Sequence, residues 1–275
     1  MLMNRKISLI LLVFTILLTG CSNYNRILKG SDMDAKMDAA VRYYNKGDYY
    51  KALPLFEELI TVYRGTRKAE KTYYYYAYTN YRLEDYQAAA YDFDNFRKTF
   101  PSSEYTEECA FMHAYCYFQD SPIFSLDQTN TYTAINELQL FADRYPNSSR
   151  ISEANDLIDQ LRDKLETKTY ETAKLYYNME SYKAASTTFK NLLHDFPSTQ
   201  YRETALFLSY KAAYLFAEGS IDSKREGRYN EALRSFGEFS IAYPESKHMK
   251  EANDIAADIK KKLDKIPGDG VSAIN

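Results

Sequence analysis

Tryptophan is absent from this sequence of 275 residues, and histidine, cysteine and glycine number only three, three and nine. Each scarcity removes a class of function. The histidines, His113, His194 and His248, stand far apart with no cysteine or carboxylate at ligand spacing, so no metal site is expected. Nine glycines leave little backbone for a phosphate-cradling loop, and no G-x-S-x-G elbow or cysteine–histidine signature occurs. The carboxylate pairs Glu57-Glu58 and Glu107-Glu108 fall on solvated helix faces. The expectation is a protein that is not an enzyme and carries no cofactor. Cys109 and Cys116 are seven residues apart on one helix, which separates their Cα atoms by roughly 10 Å, too far for a disulfide. Both read as small core residues, and the fold must be held by its core.

Long apolar runs are also missing beyond the N-terminus. There Arg5 and Lys6 precede an apolar stretch from Ile7 to Leu18, too short to span a bilayer comfortably, and residues 1–20 read as an export signal. Leu18-Thr19-Gly20-Cys21 resembles the bacterial lipobox, in which cleavage before the cysteine exposes a sulfur that carries a diacylglycerol. Acyl chains contribute about 0.8 kcal/mol per buried methylene, so Cys21 is the expected lipid attachment and residues 21–32 the tether. Loss of residues 1–20 leaves 33 basic against 38 acidic residues, a net charge of −5. That balance argues against a nucleic-acid partner.

What is present is a repeat. Tyr86-x-x-Ala89-x-x-x-Phe93, Tyr182-x-x-Ala185-x-x-x-Phe189 and Tyr229-x-x-Ala232-x-x-x-Phe236 share one spacing, each with a proline twelve residues after the alanine: Pro101, Pro197 and Pro244. Tyr49-Ala52-Phe56 and Thr131-Ala134-Leu138 are variants, the first running into Arg64 and the second into Pro146. Offsets of three, four and seven place these residues on one helix face, and proline stops the helix because it has no N–H to donate. Thr66, Ser103, Ser148, Thr199 and Ser246 follow, placed to cap the next helix. Ala40, Ala77 and Ala173 supply small residues where a first helix crosses a second. The pattern resembles the tetratricopeptide repeat and implies an all-α fold, an α-solenoid of five tetratricopeptide-like hairpins over 33–265, with a disordered tail at 266–275. The spacings between key alanines, 37, 45, 51 and 47 residues, predict extra length. One long helix is expected over Ser152–Asn178, loops at Asp120–Asn130 and Glu218–Gly227, and a kink or late helix start at Pro54.

Tyrosine, at 28 residues, and phenylalanine, at 15, are in excess. Tyr49, Tyr86, Phe93, Tyr182, Phe189, Tyr229 and Phe236 are core by position. The run Tyr73-Tyr74-Tyr75-Tyr76 is different, because four consecutive residues face all round a helix and some should escape burial. Counted from Ala77, Tyr74, Tyr78, Tyr81 and Arg82 fall on the face that lines the inner groove of such solenoids. Tyr44, Phe111, Tyr115 and Phe118 continue it. Two readings stay open: a groove for an extended, aromatic-containing peptide, or tyrosine that is simply exposed.

The lipobox, Cys21-Ser22-Asn23-Tyr24-Asn25, Tyr63-Arg64-Gly65-Thr66, Asp120-Ser121-Pro122, Leu126-Asp127-Gln128-Thr129 and Leu138-Gln139-Leu140-Phe141 leading to Tyr145-Pro146-Asn147-Ser148 together resemble the BamD family of outer-membrane assembly lipoproteins, in its Bacteroidetes-type form. That resemblance implies a lipid-anchored protein on the periplasmic face of the outer membrane. The implied partners are the barrel-forming subunit BamA, gripped through its periplasmic domain by the C-terminal hairpins, and C-terminal segments of unfolded outer-membrane proteins, received by the N-terminal hairpins. No acidic cluster follows Cys21 to direct the chain to the cell surface. The competing classes are a SusD-like glycan binder, which would be longer and would stack sugars on aromatic platforms that are often tryptophan, and a coordinator of peptidoglycan synthesis.

Overall fold

The computed structural model describes residues 24–266, all-helical with turns and no strand among them. The expected signal 1–20, the expected acylation site Cys21 and the tail from Pro267 lie outside the described residues. The chain divides into two compact units, one of Met1–Pro122 and Leu126–Leu161, the other of Ile123–Ser125 and Arg162–Asn275.

In the first unit a short helix α1 (residues 24–28) precedes the hairpins α2 (Met33–Asn45) with α3 (Tyr49–Tyr63), α4 (Ala69–Arg82) with α5 (Tyr86–Thr99), and α6 (Thr106–Gln119) with α7 (Thr129–Arg144). The helix α8 (Ile151–Asn178) begins there and continues into the second unit. It is the long helix read from the sequence, 28 residues without a break. The second unit continues with α9 (Tyr182–Asp195), α10 (Arg202–Glu218), α11 (Asp222–Ala242) and α12 (Met249–Leu263). Five hairpins are thus present among the described residues, and α12 is an additional helix. It buries Ala252, Ala256 and Ile259 and ends in Lys260, Lys261 and Lys262, a polar-backed helix of the kind that closes a repeat array.

The repeat residues do what their spacing requires. Ala40, Ala52, Ala77, Ala89, Ala134, Ala173, Ala185 and Ala232 are all fully buried, as are Phe56, Phe93, Leu138 and Phe189, so the helices close over small residues and are filled by large ones. Tyr229 is buried, whereas Tyr49, Tyr86, Tyr182 and Phe236 are half-buried. The prolines act through the residue before them. Phe100, Tyr145, Phe196 and Tyr243 leave the helical region, at φ between −123 and −139, because the proline ring disfavours it for its predecessor. Hairpin 1 has no such proline, and Gly65 at φ +77 turns its chain instead. Pro54 neither delays nor divides α3, which starts at Tyr49. The carbonyl that loses its donor belongs to Tyr50, an 83% exposed residue.

The two expected loops differ in outcome. The loop at Asp120–Asn130 is present as residues 120–128, but Glu218–Gly227 is mostly helix, since α11 starts at Asp222. Arg225 pairs with Asp222 at 2.8 Å and donates to the Ser220 carbonyl at 2.8 Å, and Arg228 lies 3.9 Å over the Phe216 ring. Gly227 sits on an open face with nothing near its missing Cβ. Within the tether expected over 21–32, the described residues Tyr24, Ile27 and Leu28 pack against the hairpin 1 core.

The turn hydroxyls also act differently from the cap that was expected. Thr66, Ser103, Ser148, Thr199 and Ser246 accept from the N–H two residues on, at 3.1–3.3 Å, which closes the turn before the helix and leaves its own first turn uncapped. Three of them then reach across a seam between hairpins. Ser103 donates to Glu70, Thr199 to Glu166 at 2.7 Å and Ser246 to Glu203 at 2.6 Å. Glu166 is 9% exposed while Glu70 is half-buried, so the two donors differ in worth. Leaving a buried acceptor unmet costs about 1–3 kcal/mol. Thr199→Ala is expected near the upper end of that range and Ser103→Ala near the lower in urea titrations, and equal losses would contradict this account.

Candidate peptide groove

All eight residues singled out for the groove lie in the first unit on α2, α4 and α6, the first helices of the three hairpins, and their rings join into one network. Tyr44 meets Tyr75 edge-on at 5.1 Å, Tyr75 meets Tyr74 at 5.9 Å, Tyr74 meets Tyr78 at 4.8 Å and Tyr78 meets Tyr81 at 6.3 Å. Tyr81 reaches Tyr115 at 6.2 Å, and Tyr115 stacks between Phe111 at 5.8 Å and Phe118 at 5.7 Å. The Arg82 cation lies near the Tyr44 hydroxyl and 5.8 Å over the Tyr81 ring.

The network has a floor and an open side. Tyr78 is 9% exposed and Phe111 only 1%, so neither offers much surface to a ligand. Tyr44, Tyr81, Tyr115 and Phe118 are half-buried and Arg82 is exposed. The tyrosine run does not break out to solvent as its spacing suggested, because α4 is packed on both sides. Tyr73 meets Phe100 at 5.6 Å, Tyr75 stacks on Phe56 at 5.8 Å, and Tyr76 packs in the hairpin 1 core.

Beneath the floor lies a polar centre that the sequence reading assigned to solvent. Tyr78 donates to one oxygen of Glu108 and Tyr74 to the other at 3.2 Å. Burial, then the Glu108 carboxylate, push both phenols well above the ordinary tyrosine range. For Tyr44 burial raises the phenol and the Arg82 cation opposes it.

A second feature was missed entirely. The fourth residue after each hairpin-ending proline, namely Tyr105, Arg150, Tyr201 and His248, packs a planar group against an aromatic ring of the preceding first helix, flat in the last two and tilted by 44° in the first. The pairs are Tyr105 on Tyr74 at 4.7 Å, Arg150 on Phe111 at 4.0 Å, Tyr201 on Tyr170 at 4.0 Å and His248 on Phe207 at 4.3 Å. Tyr74 and Phe111 therefore serve the seams between hairpins as well as the strip. The signal was legible as a shared position, but three different residue types fill it, and only their flatness is common.

The remaining chemistry-bearing groups are dispersed. His113 donates from Nδ1 to the Ala90 carbonyl at 2.8 Å and places Nε2 3.3 Å from Glu137. It lines a hollow of about 360 Å³ with Arg97 and Arg144, away from the aromatic strip. His194 lies beside Asp195 at 2.8 Å. Cys109 and Cys116 are fully buried, and burial pushes both thiols up, Cys116 to about 12.

Residues 31–226 match the YfiO family, described as an outer membrane lipoprotein. That span contains the whole aromatic network and stops short of most of α11 and of α12. The chain is 25% identical over 183 residues to the outer membrane protein assembly factor BamD of Caulobacter vibrioides, covering 66% of this chain and 60% of that one. It is 24% identical over 221 residues to the BamD of Haemophilus influenzae, covering 76% and 84%, and 23% identical over 178 residues to that of Pasteurella multocida, covering 60% and 68%. The match thus spans three-fifths of the Caulobacter relative's length. Among the described residues no helix is long and apolar enough to cross a membrane. With well over half of its length matched and its helical hairpins in place, the chain belongs to the YfiO family of outer membrane lipoproteins.

Proposed function

We propose that this chain is a non-catalytic component of the machinery that assembles β-barrel proteins in the outer membrane, held by acylated Cys21 at the periplasmic face. Its three N-terminal hairpins receive C-terminal segments of unfolded outer-membrane proteins, and its C-terminal hairpins hold a BamA-like barrel subunit. The observation that carries the reading is the continuous aromatic strip across α2, α4 and α6 in a chain whose relatives are named assembly factors.

The strip suits such a ligand on physical grounds. Tyr44, Tyr81, Tyr115 and Phe118 offer flat apolar faces whose positions are fixed by the rings beneath, so little side-chain freedom is lost on binding. Arg82 adds a cation beside them for a terminal carboxylate. Since Tyr78 and Phe111 are floor, the binding test belongs on the open side. Tyr81→Ala with Tyr115→Ala is expected to weaken a labelled barrel-protein C-terminal peptide at least tenfold, about 1.4 kcal/mol, in fluorescence anisotropy, with the helical circular dichroism retained. Unchanged affinity rejects the strip. Recovery of a large barrel protein with periplasmic repeats from detergent-solubilised membranes supports the wider reading, whereas recovery of wall synthases replaces it.

A further inference from the structure

The arm between Cys21 and the hairpins is too short to act as a leash. α1 lies on hairpin 1 along its length: the Tyr24 ring meets Tyr43 edge-on at 5.6 Å, its hydroxyl donates to the Lys51 carbonyl at 3.3 Å, and the Leu28 carbonyl accepts from Lys36 Nζ at 3.0 Å. Lys36 is 1% exposed, and its second partner is Glu58 at 2.6 Å. A buried ammonium is tolerated only when paired, so this lysine is placed to fasten α1 to α2 and α3 together. Only Ser22 and Asn23 separate Tyr24 from Cys21, and three Cα steps reach at most roughly 11 Å.

The direction of α1 decides which part of the molecule this brings to the lipid. Leu28 sits beside Lys36, early in α2, and Tyr24 beside Tyr43 and Lys51, at the turn between α2 and α3. α1 therefore runs antiparallel to α2 and delivers the acylated end to that turn. The turn presents exposed Lys46, Lys51 and Tyr50, the last 83% exposed, with Asp48 paired to Lys51 at 3.3 Å. Ammonium groups and an interfacial tyrosine are what a phosphate-bearing headgroup layer accepts.

We propose that the α2–α3 end of hairpin 1 is seated on the anionic headgroups of the bilayer that holds the acyl chains, so that the anchor sets the orientation of this hairpin and not merely its location. The inference rests on acylation of Cys21. The test uses the full lipidated chain in phosphatidylethanolamine–phosphatidylglycerol vesicles containing a headgroup-nitroxide lipid, with a thiol-reactive fluorophore at Lys46→Cys or at Arg67→Cys. Cys109 and Cys116 are fully buried and leave the introduced thiol as the labelling site. The two positions flank α3, whose 15 residues measure roughly 22 Å at 1.5 Å per residue. The probe at 46 is expected to be quenched at least threefold more than the probe at 67, and a six-residue Gly/Ser insert between Asn23 and Tyr24 should abolish the contrast. Equal quenching without the insert overturns the proposal and leaves that end to a protein partner, and a contrast that survives the insert overturns the short arm as its cause. A chain that fails to float with the vesicles sinks the acylation reading itself, which is a separate result.

Discussion

Glu108→Leu is expected to destabilise the first unit by about 2–4 kcal/mol in urea denaturation, because it strands two phenol hydroxyls in one step. Tyr78 is 9% exposed, so its hydroxyl is not readily rehydrated, and Tyr74 is half-buried with its ring against Tyr105. The loss comes from leaving the donors without an acceptor more than from the bonds themselves, whose net worth is about 1 kcal/mol each. The decisive comparison is therefore a triple variant, Glu108→Leu with Tyr74→Phe and Tyr78→Phe. Removing donors and acceptor together should restore more than half of what the single change loses. If the triple variant is weaker than the single one, the packing of this centre matters and its hydrogen bonding does not.

Asp92 gives a second large effect, of opposite sign. It sits on α5 and accepts from Asn80 Nδ2 at 2.7 Å. Burial first, with the charge of Asp85 adding, pushes its carboxyl up to about 6. A folded-state value raised above the unfolded one means that the folded chain holds this proton more tightly. The resulting stability is fully present below about pH 4 and is lost as the pH rises through about 6. At about 1.4 kcal/mol per unit, some two to three kcal/mol are given up by pH 8. Asp92→Asn keeps an acceptor for Asn80 and removes the ionisation. It should stabilise the protein by about 2 kcal/mol at pH 8 and change little at pH 4, measured against the parent at each pH so that other carboxylates cancel. A gain that is the same at both pH values would remove ionisation from the explanation.

The parts of the fold that could be read in advance are those governed by contacts within one hairpin. Ala89, Phe93 and Pro101 obey helix spacing and proline sterics, and both are written locally, so the hairpins and the long α8 follow from them. Contacts between hairpins follow no such spacing. Ser103 reaches Glu70 across 33 residues and Ser246 reaches Glu203 across 43, and both pairs join separate helices, which no periodicity within one helix encodes. For the same reason the face counted from Ala77 found the aromatic strip but could not tell its floor from its open side. Tyr78 and Phe111 are covered by groups from the next hairpin, Glu108 and Arg150. The stretch after Glu218 was misread because glycine and dense charge resemble a loop until Arg225 and Arg228 are seen to bond the end of α10.

The seams bear on how the chain acquires its structure. In the second unit Tyr210 donates to the Ala252 carbonyl at 3.1 Å, Tyr214 to Asp258 at 2.8 Å, and Lys262 to Glu218 at 2.7 Å and to Tyr214 at 3.4 Å. Of the bonds described above, the widest, from Lys262 to Tyr214, spans 48 residues. Contacts this close in sequence carry a small loop-closure cost and favour rapid folding. Each hairpin can lock onto its predecessor as soon as it emerges, so a polypeptide threaded end-first through a translocation channel can mature progressively while its remainder is still in transit.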